Sequence, residues 1–129
     1  MFDRINNTVQ HVHAAHGEGS DPDNNGIADS FSNIPNSKQS SLGIYRTAET
    51  YNMAGHGRAL RLDGLEGSNN KARERGIVFH GSKYVGEDYV KKNGRCGRSW
   101  GCPAVDDDLA QGLIDQLKGG SLLLITDKL

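Results

Sequence analysis

Ile77-Val78-Phe79-His80-Gly81-Ser82 is the run on which the reading of this chain turns. Its apolar residues are consecutive rather than alternating, which predicts a β-strand covered on both faces. The strand ends on a histidine, whose ring a buried strand would hold firmly, and then on a glycine that lets another group come close. Twenty-two positions after His80 stands Cys102, within Gly97-Arg98-Ser99-Trp100-Gly101-Cys102-Pro103. A cysteine attacks as its thiolate, and an ordinary thiol pKa of about 8.5 leaves little thiolate at neutral pH. A neighbouring imidazole that takes the proton removes that limit. The separation is long enough for two strands joined by a connection, so it permits the pairing without requiring it. Gly101 allows a tight turn, and the N–H groups of Gly101 and Cys102 are expected to face an acyl oxygen as an oxyanion hole. Pro103 has no N–H and fixes the direction of exit.

Outward from this run, Arg58 to Asp63 alternates as a strand, and Leu42 to Thr47 begins another that Tyr51 extends. Gly55-His56-Gly57 is the turn between them. Val9 to Ala15 (VQHVHAA) also alternates, with Val12 and Ala14 on one face and His11 and His13 on the other, and predicts a half-buried strand. From Gly17 to Ser41 the chain is rich in Ser, Asn, Asp and Gly without periodicity and reads as a long polar loop. Asn69 to Arg75 gives a helical turn or two, and Glu87 to Lys92 one more. The clearest helix is Asp107 to Lys118: Leu109, Leu113, Ile114 and Leu117 form its apolar stripe, aspartates 106–108 favour its start, and Gly119-Gly120 stops it. Ser121 to Thr126 then predicts a buried closing strand. The fold class is mainly β with one helix in the C-terminal half. With no repeat and no linker, residues 1–129 read as one domain.

Composition narrows the function. The chain has 129 residues, 15 basic and 16 acidic, so its formal charge of −1 leaves no electrostatic footprint for nucleic acid or an anionic membrane. No apolar run approaches the roughly 18 residues of a membrane span. Met1 to Gln10 lacks the basic-then-apolar layout of a secretory signal, so the protein either works where it is made or lost a signal earlier. Cys96 and Cys102 admit two readings, a small disulfide loop or one reactive thiol beside a bystander. Two cysteines with the nearest histidine at position 80 do not match zinc-ligand spacing, and neither metal nor organic cofactor is expected. Asp21-Pro22-Asp23-Asn24-Asn25-Gly26-Ile27-Ala28-Asp29 sets oxygens at relative positions 1, 3, 5 and 9 with glycine at 6, like a calcium loop. Ser32 stands where that loop needs its bidentate glutamate, so a solvated turn cluster is the competing reading.

The runs Gly76 to Val85 and Gly97 to Val105 together resemble the murein L,D-transpeptidases of the YkuD type, in the branch with S-x-G-C-P in place of S-H-G-C. Ala15 to Ser20, Phe31-Ser32-Asn33, Ser40 to Gly43 and Gly55 to Leu65 are similar to the same family in the same order, so the likeness spans roughly residues 12 to 126. The resemblance implies a β-sandwich of mixed sheets and an attack by cysteine on the carbonyl between an L-centred diamino acid and D-alanine in peptidoglycan stem peptides. It implies Cys102 as nucleophile, His80 as base, the Gly81 carbonyl orienting that ring, and Ser99 and Gly101 shaping the cysteine turn. Arg98 is expected to meet a substrate carboxylate, and Trp100, Ser82, His56 and His16 to line the substrate. For His16 and His56 a structural hydrogen-bonding role is the alternative. Trp100 replaces the second imidazole of the widespread motif, which leaves transfer and hydrolysis both open. A periplasmic or envelope location and a monomer acting on stem peptides follow from the likeness. The alternatives are an L,D-carboxypeptidase, including a toxin or phage cell-wall enzyme, and a non-catalytic wall-binding module of the same fold.

Overall fold

The computed structural model describes residues 2–3 and 7–128, so part of the Met1–Gln10 stretch falls outside it. Its elements are β1 (Phe2–Asp3), β2 (Thr8–Val9), β3 (Gly43–Met53), β4 (Gly57–Gly64), β5 (Val78–Ser82), α1 (Glu87–Asn93), β6 (Ala104–Asp106), α2 (Asp107–Leu117) and β7 (Leu122–Ile125). The chain is mainly β, as expected, with a mixed five-stranded sheet in the order β6-β5-β4-β3-β7 and a separate two-stranded sheet of β1 and β2. All pairings are antiparallel except β5 with β6.

β5 is buried at all five positions, as its apolar run predicts. Antiparallel β4 covers one edge and parallel β6 the other, with His80 opposite Ala104. α2 lies on this sheet through Ala110, Leu113 and Ile114. Gly81 makes the approach possible: a Cβ there would stand 2.6 Å from Asp107 Oδ1 and 2.8 Å from Ala110 Cβ. Asp106 caps the helix by accepting from the Asp108 N–H, and Asp107 and Asp108 lie in its first turn, where carboxylates suit the helix dipole. Tyr45, Leu60, Leu62, Val78 and Ile114 fill the core, each burial stabilising by about 1.5–3 kcal/mol.

Several expectations change. Val9 to Ala15 is not a strand: only Val9 lies in a strand, residues 10–14 are exposed and irregular, and Ala15 makes an isolated bridge to Ala104. β7 is not buried: it is the sheet edge, with Leu122 and Leu124 exposed and Leu123 and Ile125 turned to the core. A run apolar at every position hides which residues face solvent. Leu109, placed in the helix stripe, lies at its margin and is partly exposed. α1 adds a second short helix, closed by Gly94 at φ 79°, and Ala104–Asp106 forms a strand that the sequence did not announce.

Thr47 joins three of these elements. It is buried in β3 beside a bulge, where Thr47 and Thr50 oppose Leu62 and Leu60. Its hydroxyl donates to the Leu117 carbonyl at the end of α2 and accepts from the N–H groups of Gly120 (3.2 Å) and Ser121 (2.8 Å) that lead into β7. Thr47→Val keeps the shape and leaves those groups unpaired. It is expected to lower unfolding free energy by about 1–3 kcal/mol in urea titration, and no loss would show that the hydroxyl is dispensable.

Candidate active site

The parallel β5–β6 register determines what meets at the sheet's edge. Cys102 comes two residues before β6, and the Val78 N–H approaches its Sγ at 3.5 Å. The thiol in turn donates to the Gly76 carbonyl at 3.6 Å. Cys102 is only 8% exposed and its side chain belongs to the main apolar cluster. His80 lies two residues further along β5, and its backbone N–H reaches the Pro103 carbonyl at 3.3 Å. Cysteine and histidine are thus on adjacent segments, but no hydrogen bond joins the thiol to the ring in this conformation.

The His80 ring is oriented by its own strand. Nδ1 lies 2.8 Å from the Gly81 carbonyl oxygen, which can only accept, so Nδ1 carries the proton and Nε2 keeps a lone pair. His56, from the β3–β4 turn, places its Nδ1 3.1 Å from the same oxygen. Its ring meets His80 edge-on at 4.7 Å between centroids. Burial lowers the His80 pKa; the Gly81 hydrogen bond and Asp107 oppose that, while His56 adds to it. Burial raises the Cys102 thiol, against smaller opposing effects of the Val78 N–H and Arg75. Both shifts favour the uncharged forms, a thiol and a neutral imidazole.

The turn before Cys102 is held by glycines. Gly101 has φ 115°, and a Cβ there would come within 2.8 Å of the Gln39 carbonyl oxygen and 3.0 Å of Ile77 Cδ1. Gly17 packs on the other side, where a Cβ would lie 2.9 Å from Gly101 Cα. Ser99 organises the turn: its Oγ donates to the Cys102 carbonyl (2.6 Å) and accepts from the Gly101 N–H (3.2 Å). That second bond corrects the oxyanion expectation, because the Gly101 N–H is already engaged. The Cys102 N–H meets no acceptor among the described residues.

The remaining expected residues fall into two groups. Ser82 is buried at the end of β5 opposite Asp106, and Trp100 is 71% exposed with the Lys38 ammonium 4.7 Å above its ring. His16 and Arg98 instead brace the polar loop. His16 Nε2 lies 3.4 Å from Asp21 Oδ2, and its carbonyl accepts from the Ser99 N–H. Arg98 Nη1 donates to the backbone carbonyls of Glu18 and Asp21. Asp21, first residue of the calcium-like run, accepts the N–H groups of Asn25 and Gly26 within its own loop. Burial pushes its carboxyl up, but those bonds and His16 outweigh it and hold the group below the usual range. Among the described residues no group of three or more His, Cys, Asp or Glu could hold a metal. Cys96 and Cys102 are free thiols in different clusters.

Arg75 was not legible as a site residue. Its guanidinium donates to Ser32 and Gln39 carbonyls (3.0 and 2.8 Å) and to the Ser41 and Ser37 hydroxyls (2.6 and 3.1 Å), clasping the 32–41 loop beside the thiol. In the sequence it is one charge in Lys71-Ala72-Arg73-Glu74-Arg75, and only its place just before the buried strand sets it apart.

A mixed mainly-β sheet with cysteine and histidine on adjacent segments at one edge defines a domain of the YkuD class. The sequence model of the L,D-transpeptidase catalytic domain matches residues 2–126, and the chain belongs to that family. Among solved structures it is similar to an L,D-transpeptidase from Mycobacterium smegmatis, with a TM-score of 0.54 and 12% identity over 92% of this chain and 49% of that one. At that identity the likeness is one of fold, and the chain spans about half the length of that protein. No curated protein sequence matches.

A raised thiol pKa makes the resting cysteine slow toward alkylating reagents. Iodoacetamide labelling at pH 7, followed by peptide mass spectrometry, is expected to modify Cys102 roughly tenfold or more slowly than free cysteine. The rate should climb as the pH passes above the ordinary thiol range, and fast labelling at neutral pH would mean a thiolate already formed.

Proposed function

We propose that residues 1–129 act as one cysteine-dependent L,D-transpeptidase domain, a monomer working on peptidoglycan stem tetrapeptides in the periplasm or cell envelope. The observation that carries this reading is the fixed tautomer of His80: its Nδ1–H is held by the Gly81 carbonyl, leaving Nε2 as a base on the segment beside Cys102. In the proposed reaction the thiol turns from Gly76 to His80 by a side-chain rotation and gives up its proton to Nε2. Sγ then attacks the carbonyl between the diamino acid and D-alanine. The Cys102 N–H stabilises the oxyanion. His80 passes its proton to the leaving amine, D-alanine departs, and a thioester remains on Cys102. An acceptor amine, deprotonated by His80, yields a 3–3 cross-link or an exchanged D-amino acid; water yields the tripeptide. Ser99 and Gly101 hold the turn, Trp100 and Ser82 border the substrate, and His56 steadies His80 through the shared carbonyl. His16 and Arg98 support the neighbouring loop. No helix among the described residues is long and apolar enough to cross a membrane.

One observation favours a second reading, a non-catalytic wall-binding domain: the thiol is buried and bonds the Gly76 carbonyl rather than His80. Incubation with tetrapeptide muropeptides, with and without a D-amino acid, separates the two. The enzyme reading expects tripeptide, dimer or exchanged product from the wild type, and a loss of roughly ten-thousand-fold in Cys102→Ala. Full activity in Cys102→Ala would exclude the cysteine mechanism, and an inert wild type that still binds muropeptide would establish the second reading.

The pH dependence follows from the same geometry. His80 works as a base only when neutral, and its pKa lies below the ordinary 6.5, so kcat/KM should hold its plateau below that pH and fall only in more acidic solution. An acid limb centred above pH 6.5 would argue that another group is the base.

A further inference from the structure

The proposed chemistry leaves unused a cavity of about 510 Å³ beside the cysteine turn. It opens between the C-terminal end of α1 and the polar loop, and Lys92, Arg95, Arg98, Glu18 and Asn24 are among its walls. Three cations line it against one carboxylate, although the whole chain carries a formal charge of −1. That carboxylate is already compensated, since Glu18 Oε1 lies 2.8 Å from Lys38 Nζ. None of the three cations has an ion-pair partner among the described residues. Two are held in place by neutral acceptors: Arg95 Nε donates to Asn24 Oδ1 at 3.1 Å, and Arg98 Nη1 to the Glu18 and Asp21 carbonyls. Fixed, uncompensated guanidinium groups around a concavity are a receptor for a carboxylate.

The cavity is tied to the cysteine turn. The Glu18 N–H donates to the Ser99 carbonyl at 2.7 Å, and Lys38 spans from Glu18 to the face of Trp100. Arg98 and Cys102 are four residues apart, so their Cα atoms are separated by no more than about 15 Å. An extended tetrapeptide covers about the same distance. A peptide whose last bond lies at Cys102 is therefore long enough for its upstream residues to reach the cavity.

We propose that this cavity binds a free side carboxylate of the stem peptide upstream of the cut bond, so that the domain selects acidic donors over amidated ones. The assignment of the ligand as a stem peptide rests on the function proposed above. The test uses the full chain carrying Cys102→Ala, so that no peptide is turned over, and two synthetic tetrapeptides that differ only in that carboxyl, free acid against amide. Titration calorimetry is expected to give the acid about three- to tenfold tighter binding, with the gap narrowing as salt rises. Adding Lys92→Gln and Arg95→Gln, both exposed positions, should bring the acid to the affinity of the amide. Equal affinity for the two peptides, absence of binding by both, or a preference that survives the double substitution would each overturn the proposal. Failure of the function reading registers separately, as wild-type protein that converts neither peptide.

Discussion

The parallel pairing of β5 with β6 is the constraint from which the site follows. An antiparallel partner can return through a two-residue turn, whereas a parallel one needs a crossover of a dozen residues or more. Here the crossover runs from Ser82 to Ala104, and it contains α1, the cationic wall of Lys92, Arg95 and Arg98, and the whole Gly97–Pro103 turn. Because β6 is only three residues long, the turn ends almost in register with the middle of β5. Cys102 is therefore delivered beside Val78, two residues before His80, by backbone pairing rather than by any contact of its own side chain with the imidazole.

The residues that pack against this crossover explain why the polar loop is long. Gly17 and Gly101 bring two backbones into contact, and Ser99 is pinned between the His16 carbonyl and the Glu18 N–H. Arg75 fastens the far end of the loop through Ser32, Ser37, Gln39 and Ser41, and the Tyr45 hydroxyl holds the Ser41 carbonyl. A loop rich in serine, asparagine and glycine supplies many short donors and acceptors, so its order comes from hydrogen bonds where a strand would use a ladder.

Which parts were legible from sequence follows the same logic. β3, β4, β5 and α2 each carry a period or an unbroken apolar run set by burial, and these were read close to their observed limits. Cys102, His80 and the orienting Gly81 carbonyl were reached through the pairing of a strand-end histidine with a glycine-flanked cysteine and through the family likeness. What failed depended on neighbours. Val9 to Ala15 has the alternation of a strand but enters a ladder only at Val9, with an isolated bridge at Ala15, and β7 is apolar on both faces although one meets solvent. The engagement of the Gly101 N–H by Ser99 depends on how one local hydroxyl points, and the clasp of Arg75 joins it to residues 34 to 43 positions away; no spacing rule announces either.

The electrostatics of the pair bear on the absent second imidazole. A thiolate–imidazolium pair at rest would need the buried thiol to ionise against its desolvation, and burial acts on both partners to keep them neutral. Under the proposed chemistry the proton then moves only when substrate is present, from sulfur to His80 and on to the leaving amine. The other nearby rings are committed: the His56 Nδ1–H to the Gly81 carbonyl, and His16 to Asp21. Trp100 presents an indole under the Lys38 ammonium, a ring whose N–H neither gains nor loses a proton in the physiological range. In the proposed reaction one imidazole would therefore serve both halves, giving its proton to the departing D-alanine and recovering its basicity before the acceptor arrives. A lowered pKa suits that duty, because an imidazole that releases its proton readily is again a base when the thioester is resolved.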